Sequence, residues 1–135
     1  MLEASTDDGP MLVTINTTAQ RWAKHPSLGI RVGFAIPLNE PDPGGFATSS
    51  ELSQIDQIDE EILRYVNASG PAIHVLTITT GIFKEFVYYI ENGDAVAGIH
   101  EKLLRQTFTH NVQCIAIFDP EWETYDSFLI EDDRE

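Results

Sequence analysis

The residues whose types and spacing could do chemistry begin with one carboxylate. Glu85 lies inside FKEFVYYI, the apolar run from Phe83 to Ile90, where a charged group must find a partner or shift its ionisation. The preceding run, IHVLTITT from Ile73, pairs with it across a turn at Thr80-Gly81. That pairing puts His74, Leu76, Ile78, Phe83, Glu85, Val87 and Tyr89 on one sheet face, and Ile73, Val75, Thr77, Lys84, Phe86 and Tyr88 on the other. An acid ringed by His74, Tyr89 and Arg31 is what a small-molecule pocket or a hydrolase-like site would use. A rim residue or a structural ion pair accounts for Glu85 as well, since such pairs also perturb ionisation.

A second group is Asp119, Glu121, Glu123 and Asp126, set around Trp122 and Tyr125 in DPEWETYD. Acids so spaced could serve as a paired acid and base, yet glycosidase-type carboxylates need an enclosed pair about 5 to 10 Å apart with a sugar platform. A wet surface turn with aromatic anchors asks for less. Together with Asp56, Asp59, Glu60 and Glu61, residues Asp119, Glu121, Trp122, Glu123 and Tyr125 instead compose an acidic docking face for a basic partner. Electrostatics would then speed encounter and select the partner.

Other chemistries lack their residues. The histidines, His25, His74, His100 and His110, form no HExxH and no close pair, and Cys114 stands alone inside an apolar run as a small hydrophobe would. There is no GxSxG, P-loop or GxGxxG. No catalytic residue, metal or cofactor is therefore expected. With 22 acidic against 8 basic residues the formal net charge is −14, which opposes direct binding of nucleic acid by phosphate neutralisation. No apolar run approaches the roughly 20 residues of a membrane span, and the opening MLEASTDDGP carries acids where a signal peptide needs cations. The chain reads as cytoplasmic.

The elements that must position these groups follow from pattern. Residues 1–10 are polar and read as a frayed, flexible terminus, residues 11–130 as a single α+β domain, and residues 131–135 as a solvated acidic tail. Met11 to Asn16 predicts a strand; Thr17 to Leu28 predicts a loop anchored by Trp22. Gly29 to Ile36 alternates Ile30, Val32, Phe34 and Ile36 with smaller or polar residues, a strand closed by Pro37. Asn39 to Gly45 is a Pro/Gly-rich loop. Thr48 followed by Glu51 predicts a capping box, and Leu52, Ile55, Ile58, Ile62 and Val66 recur at helical spacing until Gly70-Pro71. Val96, Ile99, Leu103 and Leu104 predict a second helix to about Gln106. Asn111 to Phe118, apolar at almost every position, predicts a buried strand, after which Trp122, Tyr125, Phe128 and Leu129 fold back onto the sheet.

That order predicts a ferredoxin-like βαββαβ sandwich: a mainly antiparallel sheet with two helices on one face, plus an extra N-terminal strand and an aromatic C-terminal segment. The helices are assigned to the face of Ile73, Val75, Phe86 and Tyr88. An uncovered edge strand could pair with its twin in a homo-oligomer.

The run from Met11 to Leu129 resembles the bacterial family known as domain of unknown function 695. The resemblance rests on His25-Pro26 followed by IRVGFAIPL, the Pro/Gly loop, IDQIDEEIL, GIFKEFVYY and IFDPEWETYDSFL, in that order. The layout is also similar to that of the B-type protein regulators of ribonuclease E, small acidic α+β proteins that bind an enzyme rather than catalyse. This implies a non-catalytic binding protein that docks, and could inhibit, a basic protein partner such as a nuclease. The competing expectations are a pocket protein built on Arg31, His74, Glu85 and Tyr89, and an immunity protein against a basic toxin.

Overall fold

The computed structural model describes residues 2–6, 9–42 and 44–133, with side chains described for 11–42 and 44–129. Its strands are β1 (Leu2–Thr6), β2 (Gly9–Ile15), β3 (Ile30–Pro37), β4 (Ala72–Thr80), β5 (Phe83–Ile90) and β6 (Gln113–Phe118). The helices are α1 (Ser49–Ala68), α2 (Val96–Gln106) and α3 (Glu123–Asp133). All strands join one antiparallel sheet in the order β1-β2-β4-β5-β3-β6. The fold is thus α+β, but the sheet is not a simple βαββαβ one, because β2 and β1 extend it beyond β4. Leu2–Thr6, in the stretch predicted to be frayed, pairs with β2, and α3 carries helix into the predicted tail as far as Asp133.

Helical periodicity explains α1: Ile55, Ile58, Ile62 and Val66 form its buried stripe. They pack, with Val96, Ile99 and Leu103 of α2, on Val32, Phe34, Phe86 and Tyr88 of the sheet. Leu104 falls off the α2 stripe and is exposed. The opposite face, with Val13, Leu76, Ile78, Val87 and Tyr89, is covered by Ala19, Leu28, Trp122 and Tyr125. The aromatic C-terminal segment therefore folds back as its composition predicts. Trp22 does not anchor its loop; it is half-exposed, and Ala19 and Leu28 are buried instead.

The hairpin differs from its predicted register. Thr79 stands opposite Lys84, so the loop residues are Gly81 and Ile82 rather than Thr80 and Gly81. A bulge between His74 and Leu76 adds a further step. Ile73 pairs with Tyr89 and His74 with Tyr88, which moves Ile73 and Val75 off the helix face and His74 onto it.

The Pro/Gly loop closes over this turn. Leu38 N–H donates to Ile82 C=O at 2.8 Å and Asp42 N–H to Gly81 C=O at 2.7 Å. A Cβ at Gly81 would collide with the Asp42 backbone, so glycine is required here by close approach. Gly81→Ala is expected to destabilise by about 2 kcal/mol, as overpacking does, read as a lower urea midpoint at unchanged slope. Wild-type stability in that variant would mean the loop lifts off without loss.

β6 is not the buried strand that its composition predicts. It lies at the sheet edge beside β3, with Ile115 59%, Ile117 44% and Phe118 77% exposed. Composition cannot tell an uncovered apolar strand from a covered one.

Candidate functional site

Register decides which candidate residues meet. Arg31 stands opposite Tyr89 and Ala35 opposite Glu85, so the two-residue period puts Arg31, Glu85 and Tyr89 on the α3 face. His74 projects to the other face, where its ring stacks on Tyr88 at 4.7 Å. There its Nε2 lies 2.9 Å from the Leu76 carbonyl and 3.0 Å from Thr77 Oγ1. Burial lowers its pKa, against the pull of the Asp59 charge. The predicted quartet is therefore split: three members share a face and His74 belongs to the α1 side.

On the α3 face the organising acid is Asp119. Tyr89 donates its hydroxyl proton to Asp119 Oδ2 at 2.7 Å, and Arg31 Nε lies 3.8 Å from the same oxygen. Asp119 Oδ1 accepts from the Glu123 N–H at 3.0 Å, as a cap for the first turn of α3. Burial and the Asp119 carboxylate both raise the Tyr89 pKa, so this phenol is held protonated as a donor. Glu85 lies over Gly33, whose missing side chain leaves room for the carboxylate. Burial raises the Glu85 pKa and the Arg31 charge opposes it. The arrangement braces α3 against β3 and β5. One loose end is Arg31 Nε, buried without a hydrogen-bond partner.

The acids predicted to share a docking face are divided by the sheet. Asp56, Asp59, Glu60 and Glu61 ride on α1, whereas Asp119, Glu121 and Glu123 sit with α3 on the opposite layer. Trp122 and Tyr125 are fully buried and offer nothing to a partner. A large aromatic in a turn is drawn to the nearest uncovered apolar sheet rather than to solvent. Glu121 remains exposed, with Lys24 Nζ at 4.0 Å.

Helical geometry divides the α1 acids again. Asp56 and Asp59 face the hairpin, Asp56 lying 4.0 Å from Lys84 Nζ. Burial raises the Asp59 pKa, against the His74 and Lys84 charges. Glu61, paired with Arg64, lies on the other flank, and Glu60 sits on the outer crest between, one turn from Asp56. With Gln54, Gln57 and Gln106 they border a groove of about 490 Å³ between α1 and the α2–β6 loop. Phe108 stands in its wall with 92% of its surface exposed. Sequence reasoning missed Phe108, although an aromatic among the polar residues of QTFTHN is a signal that could have marked it.

Among the described residues, no group of three or more His, Cys, Asp or Glu is placed to hold a metal ion. Burial pushes the Cys114 thiol up to about 11, away from the thiolate that nucleophilic chemistry uses. No described helix is long and apolar enough to cross a membrane.

The model of a family of unknown function, DUF695, matches residues 1–130. The chain belongs to the DUF695 family. The matched span of this DUF695 protein takes in the whole sheet, the groove beside α1 and the Asp119 brace. No curated protein and no solved structure matches it.

Proposed function

We propose that this DUF695 protein is a non-catalytic binding protein that docks a basic segment of another protein in the groove between α1 and the α2–β6 loop. The observation that carries this reading is that Glu60 and Glu61, the latter already paired with Arg64, line the same groove as the exposed ring of Phe108. Carboxylates beside an open aromatic face suit a Lys or Arg side chain, which lays its aliphatic stem on the ring and its charge against both the acids and the π cloud. A net charge of −14 would draw such a partner in and disfavour acidic competitors. Proteins that handle nucleic acid carry basic surfaces of this kind, so a bacterial cytoplasmic nuclease or ribonucleoprotein is the proposed partner class, with inhibition as the outcome where the docked segment serves its activity.

The ferredoxin-like description belongs to the same proposal. The spatial order β6-β3-β5-β4, with helices following β3 and β5, supports it for that part of the chain. A basic toxin is a narrower version of the same partner class. The sheet-face alternative keeps one supporting observation, the unpartnered Arg31 Nε, which an anionic small molecule could satisfy.

The test takes a partner captured from bacterial lysate, purifies it, and measures its affinity for defined variants. Glu60→Lys with Glu61→Lys is expected to weaken binding about a hundredfold, Phe108→Ala about tenfold, and raised salt to weaken it further. Glu121→Lys, exposed on the opposite layer, should change little. A partner held equally well by all three variants is docked somewhere else.

A further inference from the structure

We infer that β6 is a self-pairing edge: two copies of this chain join β6 to β6 antiparallel, about a twofold axis through Ala116, into one continuous sheet. The inference does not rest on the groove reading, and it uses no groove residue.

The backbone sets the phase. Asp119 N–H donates to Gly29 C=O at 2.8 Å, one step beyond the Ile30↔Phe118 pair of the β3–β6 ladder. The hydrogen-bonded positions facing β3 are then Ile117, Ile115 and Gln113, since antiparallel pairs alternate. The N–H and C=O groups of Cys114, Ala116 and Phe118 point to the open edge.

Outward residues must oppose outward residues, because opposed residues in an antiparallel sheet share both a face and a hydrogen-bonding phase, and a register centred on Ala116 uses all three of them. Centred on Ala116, each outward N–H and C=O of the strand finds a partner: Ala116 meets Ala116, and Cys114 meets Phe118. On the α3 face Ile115 of one copy meets Ile117 of the other, an apolar β-branched pair. Gln113 meets Asp119, amide against carboxylate.

The edge is self-complementary in this register and is itself uncharged. Gln113–Phe118 carries no Asp, Glu, Lys, Arg or Pro, so none of the usual devices that blunt an edge is present. On a chain of net charge −14, it offers a twin a place to meet without opposing carboxylates. Ile115, Ile117 and Phe118, 59%, 44% and 77% exposed, would contribute about 300 Å² of apolar surface per copy. That is below the roughly 800 Å² per partner of a standard interface. The dimer is therefore weak and concentration-dependent. Because both copies are strongly acidic, salt screens their repulsion and tightens the dimer, opposite in sign to its effect on a basic partner in the groove.

Sedimentation of the full chain over a concentration series, at low and high salt, reads the first part. A monomer–dimer equilibrium that shifts towards dimer with salt is expected. Ala116→Lys should leave only monomer while keeping the wild-type melting temperature, since its side chain stays at the exposed edge. The register is read by cysteine cross-linking in a Cys114→Ser background. Ala116→Cys places the two sulfurs on opposed residues with Cα atoms about 5.5 Å apart, within disulfide reach, and should cross-link under mild oxidation. Ile117→Cys, opposite Ile115, should not. A chain that remains monomeric at high concentration and high salt overturns the proposal, as does a dimer indifferent to Ala116→Lys. Cross-linking through Ile117→Cys in preference to Ala116→Cys overturns the register.

Discussion

Replacing Trp122 with alanine lowers the unfolding free energy by about 3–5 kcal/mol, the range for deleting a large buried aromatic. Trp122 is fully buried and its ring lies parallel to that of Tyr89 at 4.1 Å, with Tyr125 edge-on at 5.4 Å. Its indole N–H donates to the Leu28 carbonyl at 2.8 Å. One side chain thus ties the turn before α3 to the sheet and to the loop that precedes β3. The backbone there is held at a φ of 56°, unusual for a residue with a side chain, and the Asp119 backbone carbonyl accepts the Trp122 N–H at 3.1 Å to close the turn. Alanine keeps that strain and loses the contacts that offset it. Against a typical total of about 5–15 kcal/mol, the variant should be visibly destabilised in urea and lose near-ultraviolet dichroism from the stacked rings. Trp122→Phe, which retains a ring but not the N–H, should recover more than half of the loss. An alanine variant as stable as wild type would show that α3 does not cover this sheet in solution.

The second large effect belongs to Glu51. Thr48 Oγ1 accepts the Glu51 N–H at 3.2 Å, as a helix cap should. The Glu51 carboxylate does not turn back to the cap. It accepts from the Asn39 N–H at 2.7 Å, the Glu40 N–H at 3.3 Å and the His110 Nε2 at 2.6 Å. A single acid therefore fastens the Pro/Gly loop and the start of β6's approach to the N-terminus of α1. Glu51 and His110 are both buried, and removing one partner of a buried pair strands the other. Glu51→Ala is expected to cost about 3 kcal/mol. Glu51→Gln, which can still accept hydrogen bonds, should cost less.

Acid titration gives Glu51 a second signature. Burial pushes its pKa up, but the Asn39 N–H, the His110 side chain and the Glu40 N–H together outweigh burial and hold it below 4.5. A carboxyl with a depressed folded-state pKa contributes stability that is complete above its unfolded value and lost as pH falls through the folded one. Wild-type stability should therefore decline below about pH 4.5, more steeply than that of Glu51→Gln, which has no such proton to bind. Parallel acid limbs for the two proteins would remove Glu51 from this role.

Local pattern made much of this architecture legible. The stripe Ile55, Ile58, Ile62 and Val66 can bury one face only as a helix, and the alternation from Ile30 to Ile36 can do so only as a strand. The acids Glu60 and Glu61 could be placed on the polar side of α1 for the same reason. The return of Trp122 and Tyr125 to the sheet followed from the cost of leaving large aromatics in water. Tertiary structure decided the rest. Both faces of the β4–β5 hairpin are apolar, so a shift of one residue loses no visible pattern, and the bulge after His74 could choose its face unseen. β6 has the composition of a covered strand but lies at an edge, because coverage depends on where α3 packs. Glu51 and His110 meet across 59 residues of sequence, and the groove needs α1 beside a loop that follows α2. Periodicity records which way a residue points within its own element; only the packing of elements determines what it meets there.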